Sequence, residues 1–261
     1  MFTAPLAYYG VHFPFTGGLN LRKERAFMFK TKRARALCSA VVPSAGSSKR
    51  MGGENKLFSM IDGVPVIVRS LLALQASGRI FEIVVVARPS DIAEIASLCK
   101  EYGISKVSKI ISGGETRQES VLRGIMEVSG EASYIAIHDG ARPLVPVEVI
   151  DEAVDAAGVY HAAAPGIPVF DTVKVMEGGL VRETPDRDHL RAIQTPQVFD
   201  ADLIKGAIHN AVNKDLAISD DCEAVEAMGV RPYITPGSRE NIKITTQLDI
   251  FIAEAILRSR I

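Results

Sequence analysis

The sequence has few cysteines, no long apolar run and almost no net charge. The three cysteines, Cys38, Cys99 and Cys222, are odd in number and widely spaced, which fits neither a disulfide framework nor a zinc site. No apolar stretch approaches the roughly 20 residues that a membrane-spanning helix needs. A net charge of −1 gives no overall positive field to attract nucleic acid or an anionic membrane. We therefore expect reduced thiols, a cytoplasmic location and no nucleic-acid or membrane partner.

Two common phosphate-binding strings are also absent. No segment matches the Walker A pattern G-x-x-x-x-G-K-[ST], and residues 46–51 supply only the first glycine of the dinucleotide pattern G-x-G-x-x-G. These absences disfavour a P-loop ATPase and a simple Rossmann oxidoreductase. No His or Cys lies at metal-ligand spacing from His138, so we interpret this residue as a packed core histidine.

The first 35 residues differ from the rest of the chain. Seven basic residues crowd into residues 22–35, with Glu24 as the only acid among them. A signal peptide would place its charges before an apolar run, and here the order is reversed. We predict a flexible basic N-terminal extension over residues 1–35, or a true start at Met28, with a basic targeting or nucleic-acid arm as the alternative. Residues 36–261 are predicted to form a single domain.

Within that domain, short apolar runs alternate with amphipathic segments of helical period. The predicted strands are residues 37–43, 80–87, 107–111 and 134–138, and the predicted helices are 65–76, 90–99, 117–128 and 146–157. This alternation predicts parallel strands joined by helical crossovers, buried on both faces. The fold class is therefore α/β, a Rossmann-like, mostly parallel sheet flanked by helices. Ligands in such sheets bind beyond the carboxyl ends of the strands, here the loops 44–56 and 138–143.

Residues 159–198 interrupt the alternation. Apolar segments 169–176 and 180–184 flank Glu177-Gly178-Gly179, whose glycines accept the positive φ of a tight turn. We predict a protruding β-arm over about residues 166–190. Further on, the pattern predicts helices at 200–212, 220–228 and 247–258, and short strands at 231–235 and 241–245.

The loop after the first strand is suited to an anion. Its string Val41-Val42-Pro43-Ser44-Ala45-Gly46 is followed by Lys49, Arg50 and Lys56. Backbone N–H groups of a small-residue turn form an anion-binding concavity, and arginine engages phosphate oxygens in bidentate fashion. A solvated basic loop is the alternative interpretation.

This loop resembles the small-residue, Arg-Met-Gly, Lys signature of sugar-nucleotide and related nucleotidyltransferases. Six further strings occur in the order expected of the 2-C-methyl-D-erythritol 4-phosphate cytidylyltransferase family. They are Gly113-Gly114-Glu115-Thr116-Arg117-Gln118-Glu119-Ser120-Val121, His138-Asp139-Gly140-Ala141-Arg142-Pro143, Asp171-Thr172-Val173-Lys174, Thr195-Pro196-Gln197, Ser219-Asp220-Asp221 and Asn241-Ile242-Lys243-Ile244-Thr245. The resemblance covers roughly residues 37–258 and implies a nucleotide-diphospho-sugar transferase-like fold.

The resemblance implies transfer of CMP from CTP to 2-C-methyl-D-erythritol 4-phosphate, with pyrophosphate as the second product, in isoprenoid biosynthesis (the MEP pathway). It implies Mg²⁺ as cofactor, held by Asp139, and a homodimer in which the arm completes the neighbouring site. The implied catalytic residues are Arg50, Lys56, Arg187 and Lys243. The implied nucleotide-binding residues are Ser44, Ala45, Gly46, Gly114, Glu115, Ser120 and Gly140. The implied substrate-binding residues are Asp139, Arg142, Thr172, Arg187 and Lys243.

Alternatives remain open at this stage. The acceptor could be ribitol 5-phosphate, or the chain could be a nucleotide-binding module without turnover. Asp139 could cap the following segment, and Arg142 could pair structurally with Asp139 or Asp221. Asp220 and Asp221 are expected to be the N-cap and a first-turn residue of a helix, with a structural role that supports the site. Two departures from the family pattern, Ser48 for a glycine and Asn55 for a proline, predict weaker nucleotide binding and a less rigid approach to Lys56.

Overall fold

The computed structural model describes residues 37–46 and 55–260. The predicted N-terminal extension, Ser48 and the catalytic candidate Arg50 lie outside the described residues. Among the described residues, no helix is long and apolar enough to cross a membrane.

The first half of the domain has the predicted alternation of strands and helices. Strands β1 (Leu37–Ser44), β4 (Ile80–Ala87), β5 (Val107–Ser112) and β6 (Ala132–Ile137) are separated by helices α1 (Val66–Ala76), α2 (Ile92–Glu101) and α3 (Arg117–Glu127). A two-stranded ribbon, β2 (Met60–Ile61) and β3 (Val64–Pro65), precedes α1. Observed bounds lie within two residues of the predicted ones, because continuous apolar runs and helical periods are strong local signals.

The second half departs further from the sequence prediction. Helix α4 (Val147–Tyr160) leads into β7 (Ala162–Pro168), and the arm carries β8 (Val175–Glu177) and β9 (Leu180–Glu183). Then come β10 (Arg191–Ile193), β11 (Gln197–Asp200), α5 (Ala201–Asn213), α6 (Asp221–Glu226), β12 (Tyr233–Pro236) and α7 (Gln247–Ser259). Strands β7, β10 and β11 were not predicted, and the predicted strand at 169–176 is confined to β8.

The central sheet has eight strands among the described residues. Seven of them follow the order β10-β7-β11-β6-β1-β4-β5, and β12 pairs with β7. The β1–β4, β1–β6, β4–β5 and β7–β12 pairs are parallel, whereas β11 runs antiparallel to β6 and β7. The sheet is therefore mostly parallel, as predicted, and β1 and β6 are direct neighbours.

Helices cover both faces of this sheet. On one face, Val42 of β1 packs in a core with Leu71 of α1 and Ile150 of α4. On the other face, the adjacent Val41 packs with Ile125 of α3 and Ile208 of α5. A smaller core beneath α7 joins Ile61, Leu144, Ile244 and Ile250. Because both faces of β1 are buried, the strand is rigid, and the loop that follows it starts from a fixed point.

The cysteines are packing residues, as the sequence predicted. Cys38, Cys99 and Cys222 are all buried and form no disulfide. Burial raises the pKa of the Cys38 and Cys222 thiols well above their usual range.

Candidate active site

The loops after β1 and β6 meet at the carboxyl edge of the sheet. The two strands pair in parallel, and the His138 N–H donates to the carbonyl of Val41 at 2.9 Å. This adjacency places Ser44, Ala45 and Gly46 beside residues 138–143. The structure therefore places the two loops of the expected site next to each other.

Gly140 is required by the close approach of these loops. A Cβ at this position would collide with Oγ of Ser44 and lie 2.9 Å from Cδ1 of Ile67. Ser44 is buried, and its Oγ has no hydrogen-bond partner among the described residues. A nucleotide-binding role for both residues is consistent with this contact, since a side chain at 140 would close the space in front of Ser44.

Asp139 lies at the centre of a group of cations. Lys243 Nζ is 2.8 Å from Asp139 Oδ2, Arg142 Nε is 3.6 Å from the same oxygen, and Arg117 Nη2 is 3.8 Å from Oδ1. The backbone N–H of Asp139 donates to Thr195 Oγ1 at 3.1 Å. The Asp139 side chain therefore forms ion pairs and does not cap the following segment.

These cations keep Asp139 ionised. Burial alone would raise the pKa of this carboxyl, but Lys243, Arg117 and Arg142 together hold its pKa well below the usual range. A buried carboxylate in this state can accept hydrogen bonds or bind a hard cation through oxygen.

Lys56 reaches the same place from the other loop. Its Nζ donates to the carbonyl of Ile244 at 2.9 Å, and the N–H of Ile244 donates to the carbonyl of Ala141 at 2.8 Å. Ile244 follows Lys243 directly in the chain. The structure thus brings together Lys56, Lys243 and Asp139, three of the residues that the resemblance singled out.

Residues 241–245 do not form the predicted strand. Their hydrogen bonds go to side chains and to single backbone groups: the guanidinium of Arg142 donates to Asn241 O at 2.7 Å, and Asn241 Nδ2 donates to Thr195 O at 2.9 Å. Asn241 is fully buried. The apolar alternation of this segment reflects the burial of Ile244 beneath α7 and not a strand in a sheet.

The turn before α3 and the first turn of that helix contain Gly114, Glu115 and Ser120, which the resemblance implies for nucleotide binding. Oγ of Ser120 accepts from the N–H of Gly114 at 3.1 Å, and the Glu119 carboxylate accepts from the N–H of Glu115 at 2.8 Å. Thr116 caps the helix by accepting from Glu119 N–H at 3.1 Å. A Cβ at Gly113 would lie 2.5 Å from Cβ of Ala45, so this turn and the loop after β1 are in contact.

Arg117 is a site residue to which the sequence reasoning gave no role. Its guanidinium binds Asp221 in bidentate fashion, at 2.9 Å and 2.6 Å, in addition to its approach to Asp139. Against the effect of burial, Asp221 raises the pKa of Arg117 above its usual value. Arg117 stood within the quoted Gly-Gly-Glu-Thr-Arg string, but only the fold, which brings the first residue of α3 next to the first residue of α6, reveals its partner.

The predicted structural role of Asp220 and Asp221 at the start of a helix is confirmed. Asp220 caps α6 by accepting from the N–H of Glu223 at 2.9 Å. Asp221, in the first turn, is completely buried and accepts no cap bond, since Arg117 occupies its carboxylate.

His138 is the packed core histidine that the sequence predicted. It is fully buried, its Nδ1 lies 3.1 Å from Thr195 Oγ1, and its Nε2 lies 3.4 Å from the carbonyl of Arg142. Burial lowers its pKa to about 4, so the ring is neutral at physiological pH. Its contacts hold the turn that presents Asp139.

Arg142 has the structural contacts that the alternative interpretation described. Its side chain is only 12% exposed and lies between Asp139 and the carbonyl of Asn241. Its ion-pair partner is Asp139, whereas Asp221 belongs to Arg117. Within the described residues, Nε of Arg142 has no hydrogen-bond partner.

Thr172 and Arg187 lie on the exposed arm and do not join this cluster. The guanidinium of Arg187 donates to the carbonyl of Phe170 at 3.0 Å, and none of its contacts with described residues reaches Asp139, Lys243 or Lys56. Both side chains are exposed. Their exposed side chains can therefore contact another molecule.

The cluster combines fixed cations with carboxylates. Lys243, Arg142 and Arg117 lie against Asp139 and Asp221, and Asp220 lies close enough to act on Arg117. Lys56 lies nearby, at the carbonyl of Ile244. Fixed cations beside a small-residue loop and a helix N-terminus are suited to holding two phosphate-bearing molecules side by side.

The chain is similar in sequence to known proteins of one family. The sequence model of one family, IspD: 2-C-methyl-D-erythritol 4-phosphate cytidylyltransferase, matches residues 38–259. The 2-C-methyl-D-erythritol 4-phosphate cytidylyltransferase of Halalkalibacterium halodurans is 41% identical over 223 residues, which span 85% of this chain and 97% of the relative. The protein of the same name from Caldanaerobacter subterraneus is 44% identical over 223 residues, spanning 84% and 98%.

Solved structures show the same likeness. The crystal structure of 4-diphosphocytidyl-2C-methyl-D-erythritol synthase from Anaerococcus prevotii has a TM-score of 0.77 at 28% identity, covering 85% of this chain and 96% of that one. That of 2-C-methyl-D-erythritol 4-phosphate cytidylyltransferase from Thermus thermophilus has a TM-score of 0.70 at 29% identity, covering 85% and 99%. With the family match over most of the domain, these likenesses establish that the chain belongs to the 2-C-methyl-D-erythritol 4-phosphate cytidylyltransferase family.

Proposed function

We propose that this chain transfers the cytidylyl group of CTP to 2-C-methyl-D-erythritol 4-phosphate, giving 4-diphosphocytidyl-2-C-methyl-D-erythritol and pyrophosphate. The observation that carries the proposal is the cluster of Lys243, Arg142 and Arg117 around Asp139, with Lys56 at the adjoining residue Ile244, in a chain of this family. The product belongs to isoprenoid biosynthesis. The family match favours this acceptor over ribitol 5-phosphate.

The reaction joins two anions, so charge neutralisation and positioning are its main demands. An oxygen of the acceptor phosphate attacks the α-phosphorus of CTP in line, and the bond to the pyrophosphate oxygen breaks. The attacking oxygen is already anionic, so no strong protein base is needed. A lysine about 4 Å from a phosphate oxygen contributes on the order of a few kcal/mol at an effective dielectric constant near 20.

We assign the cations the roles that the family resemblance implies. Lys56, together with Arg50 outside the described residues, stabilises charge at the α-phosphate and the leaving pyrophosphate. Lys243 holds the attacking phosphate. In the free protein Asp139 neutralises Lys243 at 2.8 Å, and the incoming phosphate competes for this charge.

The nucleotide lies between the two small-residue turns. Backbone groups of Ser44, Ala45 and Gly46 approach the triphosphate, as does Gly140 from the neighbouring loop. The turn that contains Gly114, Glu115 and Ser120 contacts the cytidine, because its hydrogen bonds fix the backbone donors and acceptors that a pyrimidine needs.

Mg²⁺ is the cofactor that we propose. Among the described residues no group of three or more His, Cys, Asp and Glu side chains could hold a metal ion. Mg²⁺ in nucleotide enzymes commonly takes one or two carboxylates and completes its shell with phosphates and water. Asp139 fits this need, since it is ionised and the nearest cation to its Oδ1 in the described part of the chain is Arg117, at 3.8 Å. When bound, the ion would neutralise triphosphate charge beside Asp139.

The arm supports a homodimer. Its apolar side chains Phe170, Met176, Leu180 and Val181 are 53%, 53%, 76% and 55% exposed. A second copy would cover this surface, and Thr172 and Arg187 would then contact the substrate in the partner's site. Their lack of contact with the cluster of their own chain agrees with this arrangement.

The cytoplasm is the compartment that we propose, with no nucleic-acid or membrane partner. The buried, unpaired cysteines are those of a protein that folds under reducing conditions.

Pyrophosphate release tests the proposed function. CTP with Mg²⁺ is offered with methylerythritol phosphate or ribitol 5-phosphate as acceptor, and ATP, GTP and UTP serve as rival donors. We expect release with CTP and methylerythritol phosphate, its loss in EDTA and its return with added Mg²⁺. A preference for ribitol phosphate would contradict the proposed acceptor. If a folded protein that binds CTP released no pyrophosphate with any pair, the chain would be a binding module.

A further inference from the structure

Asn55 immediately precedes the catalytic candidate Lys56, and its side chain is held at both ends. Its Oδ1 accepts from the N–H of Leu57 at 3.3 Å, and its Nδ2 donates to Asp91 Oδ2 at 2.8 Å. The sequence predicted a less rigid chain here, because Asn55 stands in place of a proline. The structure shows that hydrogen bonds hold the position instead.

Asp91 is a strong anchor for Asn55. It is buried and also accepts from Nε of Arg88 at 2.8 Å and from Oγ of Ser90 at 2.8 Å. It lies in the short turn between β4 and α2, directly after the strand that pairs with β1. Charge-assisted bonds to a buried carboxylate are among the stronger hydrogen bonds in proteins.

The position of Lys56 therefore depends on contacts at each end of the residue. Its Nζ is held by the carbonyl of Ile244, and its backbone follows Asn55, which is tied to Asp91. Lysine carries a compact charge on a flexible four-carbon stem, so the backbone must be fixed if that charge is to be placed. The Asn55–Asp91 bond connects this backbone to the rigid edge of the sheet.

We propose that Asn55 and Asp91 are positioning residues for Lys56 in cytidylyl transfer, with Arg88 fixing the Asp91 carboxylate. The proposal rests on the proposed function for its kinetic consequence. It identifies a contact between the β4–α2 turn and the residue before Lys56 that determines where the lysine charge lies.

The test uses the full-length chain and compares a single variant with a double variant in which the residues at positions 55 and 91 are exchanged. Asn55→Asp removes the donor and places two carboxylates together. Asn55→Asp with Asp91→Asn restores a bond of reversed polarity, in which Arg88, which shares Oδ2 of Asp91 with Asn55, has to turn to the new carboxylate at position 55. We expect the single variant to lose about tenfold in kcat, with the KM for methylerythritol phosphate unchanged, since misplacement acts on the transition state. The swapped variant should recover to within about threefold of wild type.

Two controls separate positioning from general damage. Asn213→Asp, at an exposed position on α5, should change kcat by less than about twofold. In a Lys56→Ala background the Asn55→Asp change should have almost no further effect, because residues that act as a unit are not additive.

Hydrogen exchange over residues 55–59 gives a readout that does not depend on activity. We expect this segment to exchange at least about tenfold faster in Asn55→Asp and to be restored in the swapped variant. Equal exchange in wild type and Asn55→Asp would overturn the proposal, as would unchanged kcat in an active wild type. An inactive wild type would contradict only the proposed function, and exchange would then decide the positioning proposal.

Discussion

The side chain of Lys56 donates to the carbonyl of Ile244, 188 positions further along the chain. This bond joins the loop after β1 to the residue that follows Lys243. At the scale of single residues the site therefore depends on charges from distant segments, gathered at one edge of the sheet.

Replacing Lys56 by alanine tests the role of one of these charges. We expect turnover to fall on the order of 100-fold or more, by analogy with the removal of a preorganised group that stabilises developing charge. Steady-state pyrophosphate release measures it, with Lys100→Ala on the exposed face of α2 as the matched control. A loss below about threefold for Lys56→Ala would contradict the assigned role.

The residues that sequence could identify were those with a local signature. Small residues after a strand marked Ser44 to Gly46, and the string around Asp139 marked the second loop. The Arg117–Asp221 pair was not identifiable, because it joins residues 104 positions apart that only the fold brings together. The resemblance named Lys56 and Lys243, but their convergence through Ile244 required the fold.

At the scale of elements, Gly140 fixes how closely the loops after β1 and β6 can approach. Gly140→Ala would place a methyl group against Ser44 and Ile67, and we expect it to destabilise the fold by about 1–3 kcal/mol. Gly206→Ala is the matched control, since Gly206 lies in α5 with open space around it. There, alanine should stabilise by about 0.5–1 kcal/mol.

Chemical denaturation of both variants measures these changes in the free energy of unfolding. Equal stability of Gly140→Ala and wild type would show that the loops can move apart, contrary to the packing described. CTP binding by Gly140→Ala should weaken in parallel, because the added methyl group occupies the space in front of Ser44.

Elements with continuous apolar runs or clear helical periods were predictable, as β1, β4 and α3 show. Strand β7 was missed because Ala162–Pro168 is rich in small residues and contains Pro165 and Gly166, which are rare in strand interiors. The strand predicted at residues 241–245 is wrong because the apolar pattern there was misleading. Alternating apolar side chains there are buried by α7, while the backbone bonds to the active-site loops.

At the scale of the whole molecule, the proposed dimer predicts complementation between two inactive variants. Arg187→Ala damages only the arm, and Lys243→Ala damages only the cluster around Asp139. If the arm completes the partner's site, a mixed dimer has one intact site, and co-expression should restore about a quarter of wild-type activity. Light scattering should give the mass of two chains.

The matched control is co-expression of Lys56→Ala with Lys243→Ala. Both changes lie in the same cluster, so no intact site can form and no activity should return. Arg187→Ala and Lys243→Ala could also fail to complement while still forming mixed dimers. That result would contradict the proposal that the arm of one chain contributes residues to the active site of its partner.

The measurement that tests the central claim most directly follows the phosphorus atoms of CTP. The chain is incubated with methylerythritol phosphate, Mg²⁺ and CTP labelled at either the α- or the γ-phosphorus. Cytidylyl transfer predicts that the α-label enters the cytidine diphosphate product and that the γ-label appears only in pyrophosphate. A γ-label on the acceptor would show phosphoryl transfer, and an α-label that stays in CTP or is released as free CMP would contradict the account.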